Sequence, residues 1–211
     1  MIRALFHGFV KLTALPFYLI AMRPRYRYEN KRVQSRRLRG GAILVSNHRS
    51  VYDVAVLMFA FPGRTLRCVV AELMFEKNPF LTLFLRLLGA IRVDRYSYDF
   101  SFLRKCERIL SRGGVIEIYP EGRLPQPEDE TPLPFKVGAV KLALQSGAPI
   151  VPVCHVGTHF GCGKLRVMIG EPIDVRALYR DDLSERENIR AINTIVREKI
   201  VEFQQKLEKE G

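Results

Sequence analysis

Ala42-Ile43-Leu44-Val45-Ser46-Asn47-His48-Arg49-Ser50-Val51-Tyr52-Asp53, followed by an apolar run from Val54 to Phe61, is the stretch on which the reading of this chain turns. Five residues of β type, a polar turn and a helix-length apolar segment describe a strand that hands over to a helix, with a histidine at the apex. Residues five apart on a regular helix point about 140° away from each other, so His48 and Asp53 cannot meet in mid-helix. They can meet if His48 lies in the turn and Asp53 in the first turn of the helix. Ser50 is a good N-cap that puts Asp53 at the N3 position, a capping-box pattern favouring that placement. Two readings follow. In one, Asp53 only caps a helix and His48 is an ordinary loop residue. In the other, the imidazole takes a proton from a hydroxyl while the carboxylate fixes its tautomer and stabilises the imidazolium. No neighbouring serine or cysteine looks like a covalent nucleophile, so the attacking hydroxyl would belong to the substrate.

Outward from this turn, strand patterns lie at about 42–46, 67–71, 90–94, 114–119, 149–156 and 165–170. Helix patterns alternate with them at about 51–60, 78–88, 98–112 and 135–146, and a last one runs from Ser184 to Lys209. Gly113-Gly114 and Ser146-Gly147 stand where helix C-terminal caps are expected. Such alternation predicts an α/β fold, a mainly parallel sheet flanked by helices. Ligands of such sheets bind beyond the carboxyl ends of the strands, and His48, Arg95 and Glu121 all follow strands. The stretch from Leu124 to Pro134, with Pro125, Pro127, Pro132 and three acids, reads as an exposed loop.

Four blocks stand in order: Asn47-His48-Arg49-Ser50-Val51-Tyr52-Asp53; Gly89 to Arg95; Val115 to Arg123, which ends Tyr119-Pro120-Glu121-Gly122-Arg123; and Ala148 to Val153. Over about residues 35–175 they resemble the lysophosphatidic acid acyltransferase family, the glycerolipid acyltransferases with an NHxSxxD signature. The resemblance implies that His48 is the general base on an acceptor hydroxyl and that Asp53 supports it. Asn47 and Ser50 would hold the turn. It also implies that Arg95 and Glu121-Gly122-Arg123 bind the glycerophosphate. Arginine suits that task, because its fork binds phosphate bidentately and stays charged. Two departures stand out. The third block usually reads Phe-Pro-Glu-Gly-Thr-Arg, but here Arg123 occupies the threonine position. A lysine often found before Glu72-Leu73 is replaced by Val69-Val70-Ala71, and Lys136 is a candidate to compensate.

At 211 residues the chain suffices for one sizeable core. Its four cysteines, Cys68, Cys106, Cys154 and Cys162, are irregularly spaced and read as reduced thiols. His155 and His159 beside Cys154 and Cys162 lack a paired knuckle, so no metal is expected. Net charge is +12, and between Arg23 and Arg39 eight Lys or Arg against one acid, Glu29, contribute +7. No reading motif accompanies that patch, so nucleic acid is not the expected partner. An anionic bilayer is, because Ala4 to Met22 is strongly apolar. Nineteen such residues can just span a bilayer. Lys11 and Pro16 favour instead a helix in the interface or a hairpin dipping into one leaflet, with a core-packed helix as the bland alternative. Residues 1–34 therefore read as a membrane-associating segment and 35–211 as an acyltransferase domain. The basic run belongs on the cytoplasmic face.

The resulting expectation is an acyltransferase that moves an acyl chain from acyl carrier protein or coenzyme A to the sn-2 hydroxyl of 1-acyl-sn-glycerol 3-phosphate, giving phosphatidic acid. Its thioester would be a co-substrate, and no resident cofactor is expected. Other acceptors (glycerol 3-phosphate or another lysolipid), a hydrolase, or a membrane-binding scaffold without catalysis are the alternatives.

Overall fold

A computed structural model of the chain describes residues 2–94, 101–157, 160 and 164–210. In chain order its elements are α1 (Ile2–Met22), β1 (Arg25–Tyr28), β2 (Ala42–Ser46), α2 (Asp53–Ala60), β3 (Leu66–Ala71), α3 (Leu73–Glu76), α4 (Pro79–Leu88), β4 (Ile91–Val93), α5 (Ser101–Leu110), β5 (Val115–Ile118), α6 (Gly138–Ser146), β6 (Ile150–Val156), β7 (Arg166–Ile169) and α7 (Glu185–Lys209). The strands form one sheet in the order β1-β7-β6-β2-β5-β3-β4. Among the described residues only β6 and β7 pair antiparallel, so the sheet is mainly parallel as expected. From β2 the chain moves out to β3 and β4, returns to β5 beside β2, and then crosses to β6 on the other side. Strand order therefore reverses at β2, which is where such sheets hold ligands.

β2 is buried along its whole length. Ile43 and Val45 face one core with α5, α6 and α7, whereas Ala42 and Leu44 face the other with α1 and α2. That is why an unbroken apolar run, rather than an alternating one, specifies this strand. α7 begins with a full capping box between Ser184 and Glu187. α4 has Asn78 as N-cap and Pro79 at its start, and Gly89 closes it in the left-handed region at φ +76°.

Two elements were not legible. β1 lies inside the basic run, in Arg25-Tyr26-Arg27-Tyr28, and pairs parallel with β7. Its alternation is real, since Tyr26 and Tyr28 pack against the core and the Tyr26 hydroxyl meets that of Tyr18 at 2.8 Å. The single-turn α3 was also missed.

One expectation is corrected. Helix α2 starts at Asp53, not after Ser50, and its N-cap is Tyr52 without a side-chain bond. Half of the capping box survives: Asp53 Oδ2 accepts from the Ser50 N–H at 2.9 Å. The Ser50 hydroxyl instead accepts from the Tyr52 N–H. Asp53 is drawn back over the turn by three donors at once, so residues 50–52 stay a turn rather than joining the helix.

Helix α1 is amphipathic in the inverted sense. Its polar groups face the protein: His7 bonds the Leu88 carbonyl at 2.9 Å. Lys11 Nζ donates to the carbonyls of Pro62 at 2.9 Å and Arg64 at 2.5 Å, just beyond α2. Tyr18 and Met22 join the core, but much of the helix's apolar surface faces outward, with Phe9 62%, Leu12 75% and Ile20 72% exposed. The lysine that interrupts the apolar run is thus a peg holding the helix to the domain.

Candidate active site

The turn after β2 is assembled by long-range hydrogen bonds. Asn47 donates to the His155 carbonyl at 2.8 Å and accepts from the His155 N–H at 3.0 Å, tying the end of β2 to β6. Glu121, after β5, accepts from the His48 N–H at 2.7 Å and from the Leu133 N–H at 2.9 Å. Both carboxylate oxygens are therefore engaged by backbone, and Glu121 clamps two loops rather than presenting a charge to a ligand.

His48 and Asp53 meet. Asp53 Oδ2 lies 2.9 Å from His48 Nδ1 and also accepts the Arg49 and Ser50 N–H groups at 2.6 and 2.9 Å. Asp53 is fully buried, while the His48 side chain keeps 17% exposure. With Nδ1–H donating to the carboxylate, Nε2 is left as the basic nitrogen. On its other oxygen, Asp53 Oδ1 lies 3.5 Å from Nε2 of the buried His155. The ring of His48 stacks on Tyr119, centroids 4.4 Å apart and planes 23° apart. Tyr119 in turn donates its hydroxyl to the fully buried Glu117 at 2.5 Å. Burial pushes the Glu117 carboxyl up to about 8, and the Tyr119 bond opposes that rise only in part. An imidazole oriented at Nδ1, stacked on one face and open at its other nitrogen is built to accept a proton.

Tyr119 also lines a groove of about 350 Å³ at the carboxyl ends of β3, β4 and β5. Its walls are largely apolar, among them Val69, Phe102 and Ile118, and Lys136, beside Gly122, and Lys141 also line it. Gly122 sits at φ +74°, and a Cβ there would come within 2.9 Å of Lys136 Cε. A glycine at this position lets the lysine lie across the loop.

The expected phosphate ligands divide. Arg95 lies outside the described residues. Arg123 is exposed and holds Asp129 bidentately at 2.5 and 2.8 Å, so its fork is occupied within its own loop. The loop's acids, three in a row, supply that partner. Lys136 forms no ion pair among the described residues and lines the groove beside Gly122, together with Lys141. His155, considered in the sequence only as a metal ligand, belongs to this site through Asp53 and Asn47. His159 and Cys162 lie outside the described residues. Cys68, Cys106 and Cys154 are free and buried, and burial raises all three thiols, Cys106 to about 12. None is suited to nucleophilic attack.

An aromatic path joins the site to α1. Phe160 lies 5.9 Å from Phe17 on that helix and 4.7 Å from Tyr52 in the His48 turn, ring centre to ring centre.

Residues 25–156 match the family model described as Acyltransferase. The chain is 33% identical over 156 residues to the 1-acyl-sn-glycerol-3-phosphate acyltransferase of Saccharomyces cerevisiae, covering 68% of this chain and 50% of the yeast protein. It is 27% identical over 173 residues to the enzyme of the same name from Bacillus subtilis, covering 80% of this chain and 83% of that one. The chain thus spans about half the length of the yeast relative and most of the bacterial one. Its fold is like that of the crystal structure of the 1-acyl-sn-glycerophosphate (LPA) acyltransferase PlsC from Thermotoga maritima. The TM-score is 0.62 at 22% identity, covering 94% of this chain and 78% of that one.

Proposed function

This chain belongs to the acyltransferase family, and from that premise we propose that it moves an acyl group from a thioester to the sn-2 hydroxyl of 1-acyl-sn-glycerol 3-phosphate. The observation that carries the reading is the His48–Asp53 bond of 2.9 Å, with the ring stacked on Tyr119 beside an apolar groove. His48 Nε2 takes the proton of the hydroxyl as its oxygen attacks the thioester carbonyl carbon. Asp53 stabilises the imidazolium. When the tetrahedral intermediate collapses, the C–S bond breaks and the proton passes to the departing thiolate. The ester and a free thiol result. No acyl-enzyme forms, in keeping with buried cysteines whose thiols are raised. The step needs no resident cofactor; acyl carrier protein or coenzyme A supplies the thioester.

Lys136 is the residue we assign to the acceptor's phosphate, with Arg123 available only if it releases Asp129. Asp53 and Glu121 act as positioning residues, as do Asn47 and Ser50 in the turn. The lipid reaches the site from the bilayer. The outward apolar face of α1 lies in the membrane interface, and the Phe17–Phe160–Tyr52 path leads from it to His48. Holding both reactants at that boundary supplies much of the rate through proximity. The occupied Arg123 fork favours a second reading, a lysolipid acceptor without a phosphate monoester, and Lys136→Ala separates them. A large rise in KM for lysophosphatidic acid supports phosphate binding, and an unchanged KM supports the other acceptor.

The direct test is transfer from a labelled acyl thioester to lysophosphatidic acid in liposomes, wild type beside His48→Ala. Wild type is expected to make phosphatidic acid, and the variant to lose roughly 10²–10⁴-fold in kcat. Transfer that does not depend on His48 would remove the proposed base.

A further inference from the structure

At the opposite end of the sheet from His48, a hollow of about 210 Å³ is lined by Arg67, Lys105, Arg108, Ile109, Arg112 and Gly114. Arg67 comes from the start of β3, while Lys105 and Arg108 project from α5 and Arg112 follows it. Four cations and no acid line this space. Among the described residues, none of the four makes an ion pair or a side-chain hydrogen bond. Several other arginines are taken up within the chain. Arg36, Arg64 and Arg176 bond backbone carbonyls, and Arg92, Arg123 and Arg180 hold carboxylates. Even the basic run at 23–39 is partly used up internally: Arg27 pairs with Glu210, and Arg36 lies over the Tyr26 ring.

The negative end of α5 accounts for only part of the cluster. A helix C-terminus carries about half an elementary charge, which suits one cation and not four. Arg67 is also not on that helix. It is half-buried with Arg3 beside it, and both effects disfavour its charge. The stems of Arg3 and Arg67 both lie over Gly89, where an added Cβ would be 3.3 Å from Arg3 Cδ and 3.8 Å from Arg67 Cγ. Arg3 belongs to the first turn of α1, whose outward face there carries Ile2 and Leu5, both exposed. Arg67 thus links the hollow to the first turn of the helix that the proposed function assigns to the bilayer.

We propose that this hollow is an anion site for a phosphate group, separate from the reaction site, and that its occupant is the headgroup phosphate of an anionic lipid. Guanidinium forks from two elements converge on a space of headgroup size, which matches phosphate geometry. The proposal rests on the membrane half of the function above and not on the chemistry at His48.

The test is co-sedimentation of the full chain with phosphatidylcholine vesicles, with and without phosphatidylglycerol. It compares wild type, Arg108→Gln/Arg112→Gln, and a control, Arg186→Gln/Arg190→Gln, that removes the same charge from exposed positions on α7. The hollow variant is expected to lose on the order of tenfold in affinity for phosphatidylglycerol vesicles, and the control much less. Binding to neutral vesicles and acyl transfer in detergent micelles should both stay at wild-type levels in the hollow variant. Intact micellar activity separates a failed anion site from a failed catalytic reading and reports on folding. Arg112→Gln alone, outside the helix, should move binding in the same direction by less. Equal losses in the two double variants would overturn the proposal, leaving bulk charge as the cause. Protection of the hollow's arginines from a guanidine-modifying reagent by inorganic phosphate, with no vesicle effect, would overturn the lipid occupant.

Discussion

Glu121 accepts N–H groups from His48 and Leu133 with separate oxygens, so its replacement by glutamine turns an NH₂ toward one of those donors. Glu121→Gln is expected to cost about 1–3 kcal/mol of stability, the penalty of a buried donor left without an acceptor. It should also lower kcat, because the His48 turn loses its tether. Thermal melting and steady-state kinetics check both, and wild-type values in both would refute the clamp. Glu117 makes a different prediction. The unfolded chain ionises it above about pH 4.5, whereas the folded protein holds the proton up to about 8. Folding therefore binds an extra proton in that window, and stability falls as pH rises through it, with a slope of at most about 1.4 kcal/mol per unit. Tyr119 and Cys68, which face Glu117, are raised above that range by burial and do not titrate within it. Glu117→Gln should flatten urea-melt stability between about pH 5 and pH 8; an unchanged slope would mean another group sets it. The spacing showed that His48 and Asp53 could meet, and the resemblance of the four blocks gave the pair its role. Glu117 and His155 were not readable as members of the site, because register brings them there. Glu117 stands opposite Leu44 across the sheet, and His155 reaches Asp53 from a strand about a hundred residues away.

Helix α1 is held by groups that a hydropathy reading counts against it. Lys11 satisfies carbonyls beyond α2, and replacing it with methionine keeps the helix apolar while orphaning those acceptors. Lys11→Met is expected to lower stability by about 1–3 kcal/mol without weakening liposome binding. Leu12→Asp, on the outward face, should do the reverse. If Lys11→Met alone abolished liposome binding, the peg would be a headgroup contact instead. Between residues 42 and 209 the strands and the longer helices were legible because both faces of the sheet are covered, whereas the single turn of α3 is too short to show a period. β1 was not, because its four residues alternate arginine with tyrosine. The tyrosines count as core only once Tyr18 and β7 have been brought to them.

Across the whole molecule, the site and the hollow lie at opposite ends of the strands, and α1 runs along the sheet between them. His48 takes its bearings from β2, β5 and β6 together: Asn47 is bonded to β6, and Tyr119 and Glu121 follow β5. The reversal of strand order at β2 is what brings these groups to one place. The alternation of elements predicted a site at the carboxyl ends of the strands, but neither the reversal nor which strands would flank β2.

The place of β1 carries one more consequence. It seals β7, the last strand before solvent on that side, and it is supplied by the stretch that precedes every residue of the site. A chain shortened to begin at residue 35 would keep His48, Asp53, Tyr119 and Lys136, yet leave a row of unpaired N–H and C=O groups along β7. Such an open edge is a template for another copy. The shortened protein is expected to self-associate in size-exclusion chromatography even in a detergent that keeps the full chain monomeric. Monomeric elution would mean that the edge is guarded without β1.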